Sequence, residues 1–386
     1  MSSRVLLPTS SGTEAYEFVA GAAWSRPSGP FSSRTAFAAA HVVATPDNAP
    51  GQPASVDWES TLAFRRHLWS YGFSVAEAMD TAQRGMGLDW AACQELIARS
   101  AAEAPDGRIA AGVGTDHRPE ADNLAAVTRA YLDQLAFVQA QGAQGQGVQP
   151  IVMASRQLAA VATSAADYAG VYDEVLQAAD RPVILHWLGT MFDPALTGYW
   201  GSDEVPTATG HFLDLIGAHA DKVDGVKVSL LDADHEIALR AALPEGVRLY
   251  TGDDFNYPEL IKGDGERHSD ALLGIFAAIA PAASAALQAL DADDVAAYDA
   301  AMEPTVALSR HIFATPTFHY KTGIAFLAWL SGHQPGFAMI NGQQSGRSVA
   351  HLAETARLAD QARLFADGDL AADRLRQFLT VSGVTQ

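Results

Sequence analysis

Short apolar runs alternate with amphipathic stretches from residue 34 to about residue 285. The runs are RTAFAAAHVVA (34–44), GFSVAEAM (72–79), RIAAGVGTD (108–116), GVQPIVMAS (147–155), PVILHW (182–187), DGVKVSLL (224–231), VRLYTGDD (247–254) and ALLGIFAAI (271–279). The last of these reads equally well as helix. Between them lie helical patterns such as VDWESTLAFRRHLWSYG and the long stretch over 120–141. Strand-like runs separated by helices predict a parallel sheet with helical crossovers, and eight of them favour a closed barrel over an open sheet. We therefore expect an α/β chain, a (β/α)8 TIM barrel over 34–285. An extension over 1–33, broken by Pro and Gly and with little periodicity, should pack on it. Helices over 286–386 should do the same, because the chain is longer than the about 250 residues of a bare barrel.

Composition narrows the classes. The chain is 48% hydrophobic and 18% charged, enough apolar surface to fold. No apolar run reaches the ~18 residues of a membrane span, and the start lacks a secretory pattern. The single cysteine, Cys93, permits no intrachain disulfide and sits in a helical pattern where it packs. A net charge of −20 opposes nucleic acid and anionic membranes. The expectation is a cytoplasmic enzyme whose partners are a small molecule and further copies of the chain, a homo-oligomer.

In a (β/α)8 barrel the chemistry sits at the C-terminal strand ends. Polar residues fall there: His41, Glu77, Asp80, Asp116, His117, His186, Lys227, Asp253 and Asp254. Lys227 stands out. In Gly225-Val226-Lys227-Val228-Ser229 the side chains alternate. If the valines face the helices, Lys227 points into the barrel with Gly225 and Ser229. A lysine stripped of water there has a lowered pKa, and its neutral amine can attack a carbonyl.

These residues carry a resemblance. The runs ILHW, GVKVS and YTGDD resemble the strand ends of the dihydrodipicolinate synthase and N-acetylneuraminate lyase superfamily. Those barrels are class I aldolases and lyases, with a fifth strand ending Tyr-Asn, a sixth carrying Ile-Lys and a seventh ending Ser-Gly-Asp-Asp. FATPTFHYKTGIAFLAWLSGHQPG resembles their closing helices. The resemblance implies that Lys227 is the Schiff-base nucleophile and that His186, 41 residues earlier, stands where the family has its proton-relay tyrosine. The family's Gly-Thr-Thr-Gly-Glu turn, which holds the pyruvate carboxylate, is replaced here by AEAMDTAQRGMGLDW, so pyruvate specificity does not carry over.

Three readings follow. The first is a lyase, aldolase or dehydratase acting on a small, sugar-derived carbonyl compound without a cofactor. Lys227 and His186 are its catalytic residues, and Asp253, Asp254, Glu77, Asp116 and His117 bind substrate. The second is a sugar isomerase or lyase with Mg²⁺, Mn²⁺ or Zn²⁺ held by Glu77, His186 and Asp253. The third is a non-catalytic sugar-binding barrel. Aromatic residues Phe192, Tyr199 and Trp200 of the inserted loop 188–206 are expected to cover the site.

Overall fold

The computed structural model describes residues 3–386 apart from 20, 23, 144 and 145. Eight strands close into a barrel: β1 (Ala36–Ala39), β2 (Ser74–Glu77), β3 (Ile109–Val113), β4 (Gln149–Val152), β5 (Val183–Leu188), β6 (Val223–Ser229), β7 (Arg248–Thr251) and β8 (Asp270–Leu273). Each pairs in parallel with the next, and β8 closes on β1. All eight apolar runs supply one strand each. The ambiguous eighth run holds both elements: β8 ends at Leu273, and after Gly274 and Ile275 the chain turns into helix.

The crossover helices are α1 (Trp58–Ser70), α2 (Trp90–Glu103), α3 (Leu124–Gln139), α4 (Ala165–Ala178), α5 (Val205–Ala218), α6 (Ala233–Ala242), α7 (Tyr257–Lys262) and α8 (Phe276–Asp291). Helix α8 runs through position 285 to Asp291. The acidic excess has a local use. Asp57, Asp89 and Asp232 each accept a backbone N–H in the first turn of the helix they precede, which stabilises each by about 1 kcal/mol.

Inside the barrel, Phe37, Ala39, Ala76, Ala110, Ile151, Ile184, Tyr250 and Leu272 fill the floor as a closed apolar cluster. Above it the filling thins. A Cβ on Gly225 would stand 2.6 Å from the Tyr250 ring, and one on Gly252 would stand 3.0 Å from Lys227 Cε and 2.2 Å from Ser229 Oγ. Glycine at these two places lets the Tyr250 ring close the floor and lets the lysine extend upward.

The C-terminal helices are α9 (Val295–Ile312), α10 (Tyr320–Leu330), α11 (Val349–Gln361) and α12 (Gly368–Val381). Their buried residues Ile324, Leu352 and Leu375 belong to the same hydrophobic cluster as Ala36, Val75 and Leu273 of the barrel wall. They share its core and have none of their own. The N-terminal segment departs from the expected irregular extension. Arg4–Thr9 and Gly12–Glu17 form an antiparallel hairpin that inserts Val5 and Leu7 into that cluster. It is pinned to α11 where Tyr16 Oη donates to Asp360 Oδ2 at 2.7 Å. A short alternation with Pro8 inside it is a weak strand signal.

Candidate functional site

Strands β5 and β6 set the centre. Lys227 pairs in register with His186, so both side chains leave the same face of the sheet, inward at the C-terminal end. Lys227 is 8% exposed and His186 4% exposed. Burial pulls the Lys227 ammonium down to about 8, while the charges of Asp254 and Asp80 oppose the shift. The amine makes no hydrogen bond or ion pair with the described residues. His186 is held far below its ordinary range by burial and by the neighbouring Lys227, so its ring is neutral. Its Nε2 stands 3.3 Å from Ser229 Oγ, two residues along β6 from the lysine.

Asp254 follows β7 and is 4% exposed. Its Oδ1 accepts from Ile275 N at 2.9 Å. Burial lifts its carboxyl to about 7 against the pull of that bond and of Lys227. Asp254 and Lys227 therefore lie within reach of each other's charge, and neither charge is well solvated. Asp253 does something else. Its carboxylate accepts from Phe255 N, Asn256 N and Asn256 Nδ2, tying the turn into α7. The expectation that Asp253 binds substrate or metal gives way to a turn cap with its acceptor capacity in use.

Asp80, one of the polar residues expected at the strand ends, is joined in the mouth by two residues from outside that set, Tyr320 and Lys321. Asp80, in the turn after β2, lies across the mouth from β6 and within electrostatic reach of Lys227. Its Oδ1 accepts from Lys321 Nζ at 3.1 Å, and Oδ2 lies 3.0 Å from the same nitrogen. Beside it, Tyr320 Oη is 2.7 Å from Thr81 Oγ1. Tyr320 and Lys321 begin α10, so the C-terminal helices help to build the mouth. Of the four lysines in the chain, two are buried here.

A cavity of about 530 Å³ opens over the ends of β2 to β5, with His186 and Asp80 in its wall. Asp116 also faces it, joined to Arg84 at 2.6 Å and held by Gln134 Nε2 at 3.1 Å. His117 turns away, with Nδ1 2.9 Å from Gln134 Nε2 and its ring near Trp90, and it is not part of the lining. The expectation that Glu77 binds substrate or metal is also corrected. Glu77 shares the outward face of β2 with Val75 and is wholly buried between strand and helices, bound to Arg65 and to Ser100 Oγ at 2.6 Å. His41, buried with Nε2 2.9 Å from Gln334 Oε1, packs on Phe64 as a core histidine. The loop 188–206 divides. Phe192 covers the cavity and meets Phe313 and Tyr320 edge-on. Tyr199 and Trp200 instead pack into the helix layer against Tyr168, Tyr172 and Phe212. Among the described residues no three carboxylate, imidazole or thiol groups converge as a metal set, and Glu77, His186 and Asp253 point to three different places.

The fold is similar to several solved barrels. A prophage protein of the dihydrodipicolinic acid synthase family from E. coli K12, solved in complex with pyruvate, is 16% identical, with a TM-score of 0.60 over 91% of this chain and 99% of its own. Dihydrodipicolinate synthase from Bacillus clausii is 14% identical, with a TM-score of 0.61 over 84% of this chain and 97% of its own. The enzyme of the same name from Agrobacterium tumefaciens is 16% identical, with a TM-score of 0.57 over 85% and 98%. At these identities the likeness establishes the fold. No curated protein matches the chain. One family model, described as "Protein of unknown function (DUF993)", matches residues 5–384.

Proposed function

Starting from a chain that belongs to the DUF993 family and folds as a dihydrodipicolinate synthase-like barrel, we propose that it is a lyase- or aldolase-type enzyme working through an imine on Lys227. The observation that carries this reading is the unpaired amine of Lys227, buried in the mouth and brought down to about 8, beside a neutral His186. The E. coli relative was solved with pyruvate, a small carbonyl compound, which supports the carbonyl class.

The amine lone pair attacks the carbonyl carbon. The oxygen takes up two protons and leaves as water, and C=N replaces C=O. The protonated imine then accepts the electron pair of a bond at the adjacent carbon, which permits loss of a proton, cleavage of a C–C bond or expulsion of a hydroxyl as water. His186, in register with Lys227 and 3.3 Å from Ser229 Oγ, is the proton carrier in this reading. Its neutral ring serves as a base at neutral pH. Water finally hydrolyses the imine and frees the amine.

The pH dependence is the first check. At pH 7 a lysine of pKa about 8 is neutral in about one molecule in ten, against about one in 2,500 for an ordinary lysine. Because the pKa is lowered, the reactive form grows as pH rises through 8 and is lost below it. The rate of adduct formation with a small ketone under cyanoborohydride should climb about tenfold per pH unit below 8 and level off above it. A rate still climbing at pH 10 would place the amine in water and remove the basis of the proposal.

The metal reading finds less support, since its three ligands do not meet. Chelation by EDTA should leave adduct formation within about twofold of the untreated rate. Loss of the adduct on chelation and its return with Mg²⁺, Mn²⁺ or Zn²⁺ would restore that reading.

A further inference from the structure

Arg84 and Lys321, the buried cations around the mouth other than Lys227 itself, already have acidic partners, and from this we infer that the substrate is an uncharged, hydroxylated ketone or aldehyde rather than a 2-keto carboxylate. The inference rests on the Schiff-base reading for its chemistry but not for its recognition.

Consider each cation a carboxylate would need. Arg84 gives its guanidinium to Asp116, to Gly112 O at 2.8 Å and to Gln134. Arg156 Nε is 2.5 Å from Asp193 Oδ2 at the rim. Lys321 directs its ammonium at Asp80, at Phe318 O (2.7 Å) and at Met86 Sδ (3.0 Å), three acceptors for three protons. Apart from Lys227 itself, neither buried cation is left over, while Arg156 is exposed at the rim and engaged through Nε. A carboxylate bound at Arg84 or Lys321 must break its pair, and breaking a buried pair strands the acidic member without a counter-charge.

As the free amine Lys227 brings no charge, and Asp80, Asp116 and Asp193 then stand one for one against Lys321, Arg84 and Arg156. The wall adds no positive excess, in a chain whose net charge is −20. An anion entering meets repulsion at long range. A hydroxylated ketone meets the opposite situation. Its O–H groups are donors, and the wall offers acceptors: the carboxylates of Asp80 and Asp193, and a cluster in which Thr115 Oγ1 lies 2.6 Å from Ser155 Oγ and 2.7 Å from Gln157 Oε1. Hydroxyls both donate and accept, so a polyol can join that cluster without leaving a group unsatisfied.

Matched ligands test this, because they differ only in whether the carbon next to the carbonyl is CH2OH or COO⁻. Hydroxyacetone is set against pyruvate, and fructose against 2-ketogluconate. With wild-type protein and cyanoborohydride, intact mass should show hydroxyacetone adduct forming at least about tenfold faster than pyruvate adduct. Non-covalent binding is followed separately in Lys227→Met, where no imine can form. Fructose should raise its melting temperature more than 2-ketogluconate at equal concentration. In Asp80→Asn the ammonium of Lys321 loses its counter-charge, and the preference against pyruvate should narrow. Pyruvate reacting as fast as hydroxyacetone, or 2-ketogluconate stabilising at least as well as fructose, overturns the inference. So does the absence of any preference in both measurements. If no ligand gives an adduct but Lys227→Met still favours fructose, the imine falls and the substrate class stands.

Discussion

Lys227→Met should give a folded barrel that forms no hydride-fixable adduct and loses activity by roughly a thousandfold or more. Methionine keeps the length and packing of the side chain that passes over Gly252, and it exchanges a poorly solvated ammonium for an apolar group. Nothing in the floor, where Tyr250 and Ile184 pack, depends on the charge. Thermal unfolding should therefore change little, while the nucleophile is gone. Lys227→Arg should fail as completely, because a guanidinium stays protonated and cannot attack a carbonyl. Turnover of the methionine variant within about tenfold of wild type would mean that the chemistry runs elsewhere.

The largest effect on stability is expected at Glu77. Its carboxylate lies 2.7 Å and 3.0 Å from Arg65 Nε and Nη2, both side chains are 0% exposed, and Ser100 donates a further bond. Arg65 also donates to the carbonyls of His41 and Thr61. Glu77→Ala leaves a guanidinium with no counter-charge in an apolar layer and should cost about 3–5 kcal/mol of unfolding free energy. Urea denaturation measures this. The fraction that remains folded should form the Lys227 adduct at the normal rate. A variant of near wild-type stability that forms no adduct would return Glu77 to the mouth.

Glu77 also separates what the chain makes legible from what it hides. The alternation that sends Lys227 inward, with Val226 and Val228 outward, applies equally to β2. There Val75 and Glu77 share a parity opposite to the inward Ala76, so the outward course of Glu77 is present in the pattern. Polarity at a strand end does not reveal it; parity does. Asp253 is legible in the same sense, since an aspartate before a helical turn most often serves backbone N–H groups. Lys227 and His186 are readable because a polar side chain inside a buried apolar run costs stability unless it is paired or reactive. Asp80 is among the polar residues read at the strand ends, but its place in a polar turn three residues beyond Glu77 does not say that it reaches toward Lys227. Tyr320 and Lys321 lie outside the reach of local pattern, since they meet Thr81 and Asp80 across some 240 residues of chain. The signal they leave is a lysine opening the apolar helix TGIAFLAWL, whose buried charge demands a partner. The inserted loop misleads for a physical reason. Phe192 covers the cavity, but Tyr199 and Trp200 fill a gap between α4 and α5, and an aromatic pattern alone does not separate the two uses.

The most direct test of the account is the position of the reduced adduct. The chain has only four lysines, Lys222, Lys227, Lys262 and Lys321. Lys222 donates to Ala179 O and Lys262 pairs with Asp299, both away from the mouth. Protein incubated with hydroxyacetone and cyanoborohydride, then digested and mapped by tandem mass spectrometry, should carry the added mass on Lys227 alone. Lys321, buried in the same mouth but engaged by Asp80, is the internal control. Mass on Lys321, or mass spread over the surface lysines with Lys227 unmodified, would contradict the assignment of Lys227 as the nucleophile.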